Sequence, residues 1–223
     1  MPALCRCCVL AFGLILATLC ALAELSPAAL QQQLVARFGP AHVDLLKDWL
    51  NEVKAAKTLN EDGKLKHIND LINRRIVFDD DISVWGQSDY WATPLETIGQ
   101  GNGDCEDFAI IKYVSLRMAG VANNKLRLIY VKARRNTPNG PMQIAHMVLA
   151  YYATPNAEPL VLDNLDTAIR PASKRPDLQP VFSFNSDGIF AGVSGTEKAS
   201  AGGIGQLSRW EDAWRRILAE GYE

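Results

Sequence analysis

Cysteine is nearly absent from the body of this chain. Of five cysteines, Cys5, Cys7, Cys8 and Cys20 fall within residues 1–23, and Cys105 stands alone beyond them. A disulfide framework is therefore excluded for residues 24–223. An excess of one charge is missing too. The formal net charge is −2, which gives no footprint for a nucleic acid or an anionic membrane surface. The one long apolar run, residues 9–19, falls short of the roughly 20 residues that a spanning helix needs. No internal repeat is visible, and only three histidines are available as a general base: His42, His67 and His146.

What is present begins with a leader. Arg6 is the single charged side chain of residues 1–23, and Ala21-Leu22-Ala23 is a small-x-small cleavage site before Glu24. The pattern predicts a secretory signal peptide over residues 1–23. A retained anchor is too short, and a lipoprotein acylated at Cys20 would follow the bulky Leu19 where a small residue is wanted. Residues 24–223 are enough for one core and are expected to form a single domain.

An exported protein with one thiol needs a reason for it. The surroundings read Gly101-Asn102-Gly103-Asp104-Cys105-Glu106-Asp107-Phe108, followed by an apolar run that stops at Gly120. A glycine-rich turn thus leads into a helix with Asp104 as its cap and Cys105 in the first turn. Free amides and the helix dipole stabilise a thiolate there.

His42 and His67 fall in polar helical stretches and read as surface positions. His146 lies in Gln143-Ile144-Ala145-His146-Met147-Val148-Leu149-Ala150, a strand after the turn Pro138-Asn139-Gly140. Asp163 lies in the next apolar strand, Leu160-Val161-Leu162-Asp163. A hairpin closed at Thr154-Pro155 sets His146 directly opposite Asp163. A looser turn ending at Pro159 shifts the register by four, and parity keeps both on one face. An acid there would orient the imidazole and stabilise its charged form. Cys105, His146 and Asp163 are therefore the candidate catalytic residues.

Asp104, Glu106 and Asp107 crowd the thiol, and like charge opposes its ionisation. A divalent cation held by these acids would remove that handicap, and an all-oxygen donor set favours calcium over zinc. The run Asp79-Asp80-Asp81 lacks EF-hand spacing and reads as a solvated turn.

Cysteine, then histidine in a strand, then aspartate in the next strand resembles the transglutaminase-like branch of papain-type thiol enzymes. The segments Gly-Asp-Cys-Glu-Asp-Phe at Cys105, Ala-His-Met-Val-Leu-Ala at His146 and Leu-Asp-Asn at Asp163 are similar to those of the bacterial transglutaminase-like cysteine proteinases. The resemblance implies an α+β, papain/transglutaminase-like cysteine protease fold, with helices packed on an antiparallel sheet. It also implies a periplasmic endopeptidase with calcium bound by the acids beside the cysteine. The implied substrate is a large surface adhesin, cleaved near its N-terminus to release a biofilm. The implied partner is an inner-membrane cyclic di-GMP receptor of LapD type. A transglutaminase, an arylamine acetyltransferase or a cell-wall peptidase uses related residues, and a calcium-dependent adaptor with an inert Cys105 is the non-enzymatic alternative.

The remaining organisation is coarser. Helices are expected from Ser26-Pro27 to Phe38-Gly39-Pro40, over 43–59 and over 64–76. Residues 79–100 read as mostly irregular, with Trp85, Tyr90 and Trp91 either walling a groove or covering the core. Residues 188–205 look like a glycine-rich mobile loop. Ser208 and Glu211 form a capping box for a last helix on which Trp210, Trp214 and Ile217 share one face.

Overall fold

The structure, a computed structural model, describes residues 26–138, 140–190 and 204–222. The expected signal peptide, residues 1–23, lies outside them, as does most of the expected glycine-rich loop.

The N-terminal helices follow their local signals. Ser26 accepts a hydrogen bond from the Ala29 amide, Pro27 takes the first helical position, and Gly39 closes α1 (Pro27–Phe38) at a φ of 77°. Next come α2 (Val43–Ala56) and α3 (Glu61–Arg75). The third helix starts earlier than the apolar pattern suggests, because Asn60 caps it by accepting from the Gly63 amide.

Residues 79–100 are more regular than expected. After a two-residue strand, β1 (Val77–Phe78), the chain forms α4 (Asp81–Trp85) and α5 (Pro94–Gln100). Thr93 and Glu96 close a capping box at the start of α5. Periodicity cannot be read over such short helices, so packing decides them. Of the three aromatics here, Trp91 belongs to the core, while Trp85 and Tyr90 are half-buried. Trp91 is buried and stacks on Phe184 with 5.7 Å between ring centroids.

Another two-residue strand, β2 (Asn102–Gly103), pairs in parallel with β1 and delivers the chain to α6 (Cys105–Met118). Gly120, at a φ of 87°, follows the end of that helix. The hairpin of β3 (Leu126–Thr137) and β4 (Gly140–Tyr151) is the spine of the sheet. It is flanked by β5 (Leu160–Leu162), β6 (Arg170–Pro171), β7 (Leu178–Asn185) and β8 (Gly188–Phe190). The order is β6-β5-β4-β3-β7-β8, with every pairing antiparallel.

Alternation divides the strands cleanly. Leu126, Leu128, Met147, Leu149 and Tyr151 join the main core with the helices, while Ile129, Val131, Val148, Ala150 and Tyr152 form a second cluster. Helix α6 packs on β4 and β3, with α2, α3 and α5 packed against it in turn. This is the expected α+β arrangement.

The last helix, α7 (Ile204–Ala219), begins four residues before Ser208. Ser208 therefore lies inside the helix and not at its start, since the Ser-x-x-Glu pattern also fits a helix interior. Trp210 and Ile217 are buried as expected, and Trp214 packs against the core. Gly188, expected in a loop, opens β8.

Buried charge joins the two ends of the chain. At the end of α1, Arg37 donates to Glu220 at 2.6 Å and to Glu96 at 2.5 Å, and the Thr93 hydroxyl donates to Glu220 at 2.8 Å. Arg216 of α7 also reaches Glu96.

One glycine of α5 sits where a side chain has no room. A Cβ on Gly99 would lie 2.3 Å from the Phe38 ring. Alanine normally favours a helix interior by about 1 kcal/mol over glycine, but a clash of this kind costs roughly 1–3 kcal/mol. Gly99→Ala is therefore expected to lower stability despite its better helix propensity. A urea titration showing an unchanged or raised midpoint would contradict this packing.

Candidate active site

Cys105 owes its position to the loop in front of it. The pairings Val77↔Asn102 and Phe78↔Gly103 fix the entry to α6. Gly103 is required by crowding, since a Cβ there would lie 2.8 Å from the Asp107 carboxylate. Asp104 caps the helix by accepting from the Glu106 amide at 3.2 Å. Asp107 completes a capping box through the Asp104 amide and also accepts from the Ala92 amide at 2.7 Å. Cys105 is thus the first residue of α6, as its sequence context predicts.

Its electrostatic surroundings do not favour ionisation. Burial pushes the thiol well above its usual range, and the charges of Glu106 and Asp104 push it further, against a lowering by the Met147 amide. The thiol donates to Glu106 Oε2 at 2.8 Å. The proton is held by an acid neighbour, which is the handicap anticipated from the sequence.

His146 and Asp163 meet. His146 Nε2 donates to Asp163 Oδ1 at 2.7 Å, with both side chains buried. Since Nε2 carries the hydrogen it donates, Nδ1 is the ring's proton acceptor. The hairpin register is neither of those expected. Leu149 pairs with Leu162 and Tyr151 with Leu160, so Asp163 sits two residues out of direct opposition to His146. Parity is preserved, and the diagonal remains within side-chain reach.

Asp163 is held on every side. Oδ1 also accepts from the Leu165 amide at 3.0 Å, and Oδ2 accepts from Arg175 Nη2 at 2.7 Å. Its main-chain carbonyl accepts from Lys112 Nζ at 3.0 Å and Asn73 Nδ2 at 2.9 Å. Burial alone would raise the carboxyl, but the hydrogen bonds and charges of His146, Leu165 and Arg175 outweigh it and hold the group well below the usual range. Its partners thus favour the ionised form of Asp163. Lys112, buried inside α6, is pushed down to about 7 chiefly by that burial.

Cys105 and His146 line the same open cleft, of about 730 Å³. Phe78, Ile82, Tyr130 and Ile144 supply much of its apolar wall. None of Gln87, Gln100 or Asn102, each plausible from the sequence as a second donor to an oxyanion, is among its lining residues. His42 and His67 are elsewhere and only half-exposed. His42 Nδ1 bonds the Gly99 carbonyl at 2.9 Å, and His67 pairs with Glu52 at 2.8 Å.

The acids beside the thiol gain a member that sequence reasoning misplaced. Asp81, expected in a solvated turn, is buried. One carboxylate oxygen from each of Asp81, Asp104 and Asp107 lies within 4.8 Å of the others. Asp104 and Glu106 are similarly grouped with Cys105. Asp81 Oδ2 accepts from the Tyr90 amide, but Oδ1 is buried without a hydrogen-bond partner among the described residues. Burial raises Asp81 to about 6 and Asp104 to about 8, and it carries Asp107 well above its usual range. Neighbouring carboxylates add to each shift. Hard oxygen donors, mutual repulsion and an orphaned buried oxygen together fit a calcium ion. No local signal identifies Asp81, because its approach to Asp104 is made by the β1–β2 pairing. Arg175 was missed for the same reason: its bond to Asp163 exists only in three dimensions.

Comparisons with known proteins give the family of the chain. Residues 47–177 match the family described as bacterial transglutaminase-like cysteine proteinase, BTLCP. Among solved structures, Legionella pneumophila LapG is 34% identical, with a TM-score of 0.68, covering 87% of this chain and 98% of its own. An EGTA-treated form of the same protein is 34% identical, with a TM-score of 0.69 and the same coverage. The calcium-bound form is 36% identical, with a TM-score of 0.68, covering 86% of this chain and 99% of its own. Proteins of curated function give no match. With more than half of its length matched by the family and a LapG-like structure over 87% of it, the chain belongs to the bacterial transglutaminase-like cysteine proteinases and is a cysteine protease.

Proposed function

We propose that the protein is a calcium-dependent periplasmic endopeptidase, with Cys105 as nucleophile, His146 as acid and base, and Asp163 as the residue that orients His146. The reading rests chiefly on His146, paired with the buried Asp163, lining one cleft with a thiol at a helix start. His146 takes the thiol proton, and the sulfur attacks a peptide carbonyl. The imidazolium then protonates the leaving amine, and water, deprotonated by the same ring, releases the acyl group. The Cys105 amide, free at the helix start, donates to the oxyanion. Asp81, Asp104, Glu106 and Asp107 are the oxygens available to hold calcium. Bound there, the ion supplies positive charge that offsets the acids around the thiol.

The substrate we propose is a large surface adhesin, cut near its N-terminus at small residues so that a biofilm is released. Restraint by an inner-membrane cyclic di-GMP receptor of LapD type completes the reading. Similarity to LapG supports it, and the chain's own features are compatible. No helix among the described residues is long and apolar enough to cross a membrane, and the cleft is open enough to admit an extended chain. The test is to incubate the purified protein with the outer-membrane adhesins of its own organism and sequence the termini that appear. One new N-terminus between small residues is expected. Covalently cross-linked products without new termini would instead establish amine transfer, and an unchanged adhesin would refute the substrate.

A further inference from the structure

We infer that Arg175 is a positioning residue of the active site, acting through Asp163 as a fourth member behind the catalytic three. This deepens the proposed function and rests on its assignment of Asp163. The geometry is that of a relay of fixed orientations. Asp163 offers Oδ1 to His146, but one hydrogen bond does not stop a carboxylate from rotating about its own axis. Arg175 Nη2 takes the other oxygen at 2.7 Å. The guanidinium is itself gripped by Asp177, through Nε at 3.0 and 3.3 Å and through Nη2 at 2.7 Å. The Asp177 main chain is in turn fixed to the sheet, its carbonyl accepting from the Arg134 amide of β3 at 2.8 Å.

A planar guanidinium whose Nε–Nη2 edge is fixed by Asp177, and whose Nη2 also donates to Asp163, removes the remaining freedom of Asp163. It does so from inside the protein, since the Arg175 side chain is 4% exposed and that of Asp163 fully buried. The charge arrangement matters as much as the angle. Two cations, Arg175 and the imidazolium that forms at His146 during the reaction, share one buried anion. The carboxylate is thus kept ionised and ready even when the imidazole is neutral. A lone Asp163 in the same surroundings would face the cost of an unpaired buried charge between turnovers.

The alternative is a buried ion pair that merely ties residues 172–177 to the end of β5. A double-mutant cycle separates the two. The probe is p-nitrophenyl acetate, an activated ester whose acylation of Cys105 needs the nucleophile and its base but no polypeptide recognition. Rates are taken in calcium-containing buffer, with Cys105→Ala as the background and thermal melts for each variant. Arg175→Ala is expected to slow acylation roughly ten- to a hundredfold, the usual cost of losing a partner that orients a reactive group from behind. In an Asp163→Asn background the same change is expected to cost less than about threefold, because the two residues act as a unit.

If Arg175→Ala does not fold, Arg175→Lys keeps the charge and loses the fork. It is expected to slow the reaction by about fivefold or more at an unchanged melting temperature. An unaltered rate in the folded arginine variant overturns the inference. So do losses that multiply fully in the double variant. If Asp163→Asn alone is as fast as wild type, it is the triad that fails, and that outcome is distinct.

Discussion

Alanine at Cys105 is expected to leave no measurable peptide hydrolysis, a fall of at least about 10⁴-fold. The fold should be unchanged, because the residue is half-buried at a helix start and packs only against the edge of the core. His146→Ala is expected to be nearly as damaging, since no other imidazole lines the cleft among the described residues. Asp163→Asn should retain a trace of activity and place the hydrogen on the wrong ring nitrogen. With His146 already gone, removing Asp163 should add little, as members of one unit do not lose activity additively. Appearance of the new terminus, followed by mass spectrometry, gives the rates, and circular dichroism verifies the fold. Activity within tenfold of wild type for Cys105→Ala would sink the assignment. His67→Ala is the clean control, because its ring pairs with Glu52 away from the cleft. His42→Ala is not one. It would break a bond to Gly99 beside the loop that carries the site.

Removing calcium is expected to have an effect of similar size on activity, and a distinctive one on stability. In calcium-free buffer, Asp81, Asp104 and Asp107 have folded-state values raised above an ordinary aspartate, to about 6, to about 8 and well above the usual range. An unfolded aspartate titrates near about 4. Between these limits the native state binds more protons than the unfolded state, so stability falls as pH rises from about 4 to about 8. A bound cation reverses the preference, because it requires the ionised carboxylates. The melting temperature in EGTA should therefore drop steadily from pH 5 to pH 8. The gain on adding calcium should be largest at pH 8 and smallest at pH 5, reaching about 2.7 kcal/mol at a hundred times its Kd. Peptide hydrolysis should vanish with the chelator and return with calcium but not magnesium, which tolerates such an irregular donor set poorly. Asp81→Asn and Asp104→Ala should mimic the chelated state. Full activity after thorough chelation would refute the calcium reading, and an Asp81→Asn variant with wild-type calcium affinity would remove Asp81 from the site.

The parts of this architecture that are local were legible in the amino-acid sequence. Ser26-Pro27 announced α1, Asp104 announced α6, and period-two alternation announced the hairpin that carries His146. Parity, more than register, made the His146–Asp163 pairing readable: the observed offset of two lies between the two expected arrangements, and any even shift keeps both groups on one face. What escaped notice depends on contacts between distant segments. Asp81 looked like one of three solvated acids until the β1–β2 pairing carried it beneath Asp104. Arg175 has no signature at all beyond its charge. The helices α4 and α5 are too short to show a period, and Ser208 satisfied a capping pattern that the preceding residues overrode.

The clasp between Arg37 and Glu220 joins residues 183 positions apart. A chain delivered N-terminus first must therefore hold α1 in waiting until residue 220 has arrived, and closing so long a loop is a late, entropically opposed event. Until then Arg37 and Thr93 both lack the carboxylate to which they donate. Completion of the fold is in this sense self-timed, with Glu220 acting as its latch. A copy ending at residue 219 is expected to be degraded as prey by other proteases before it can act as one.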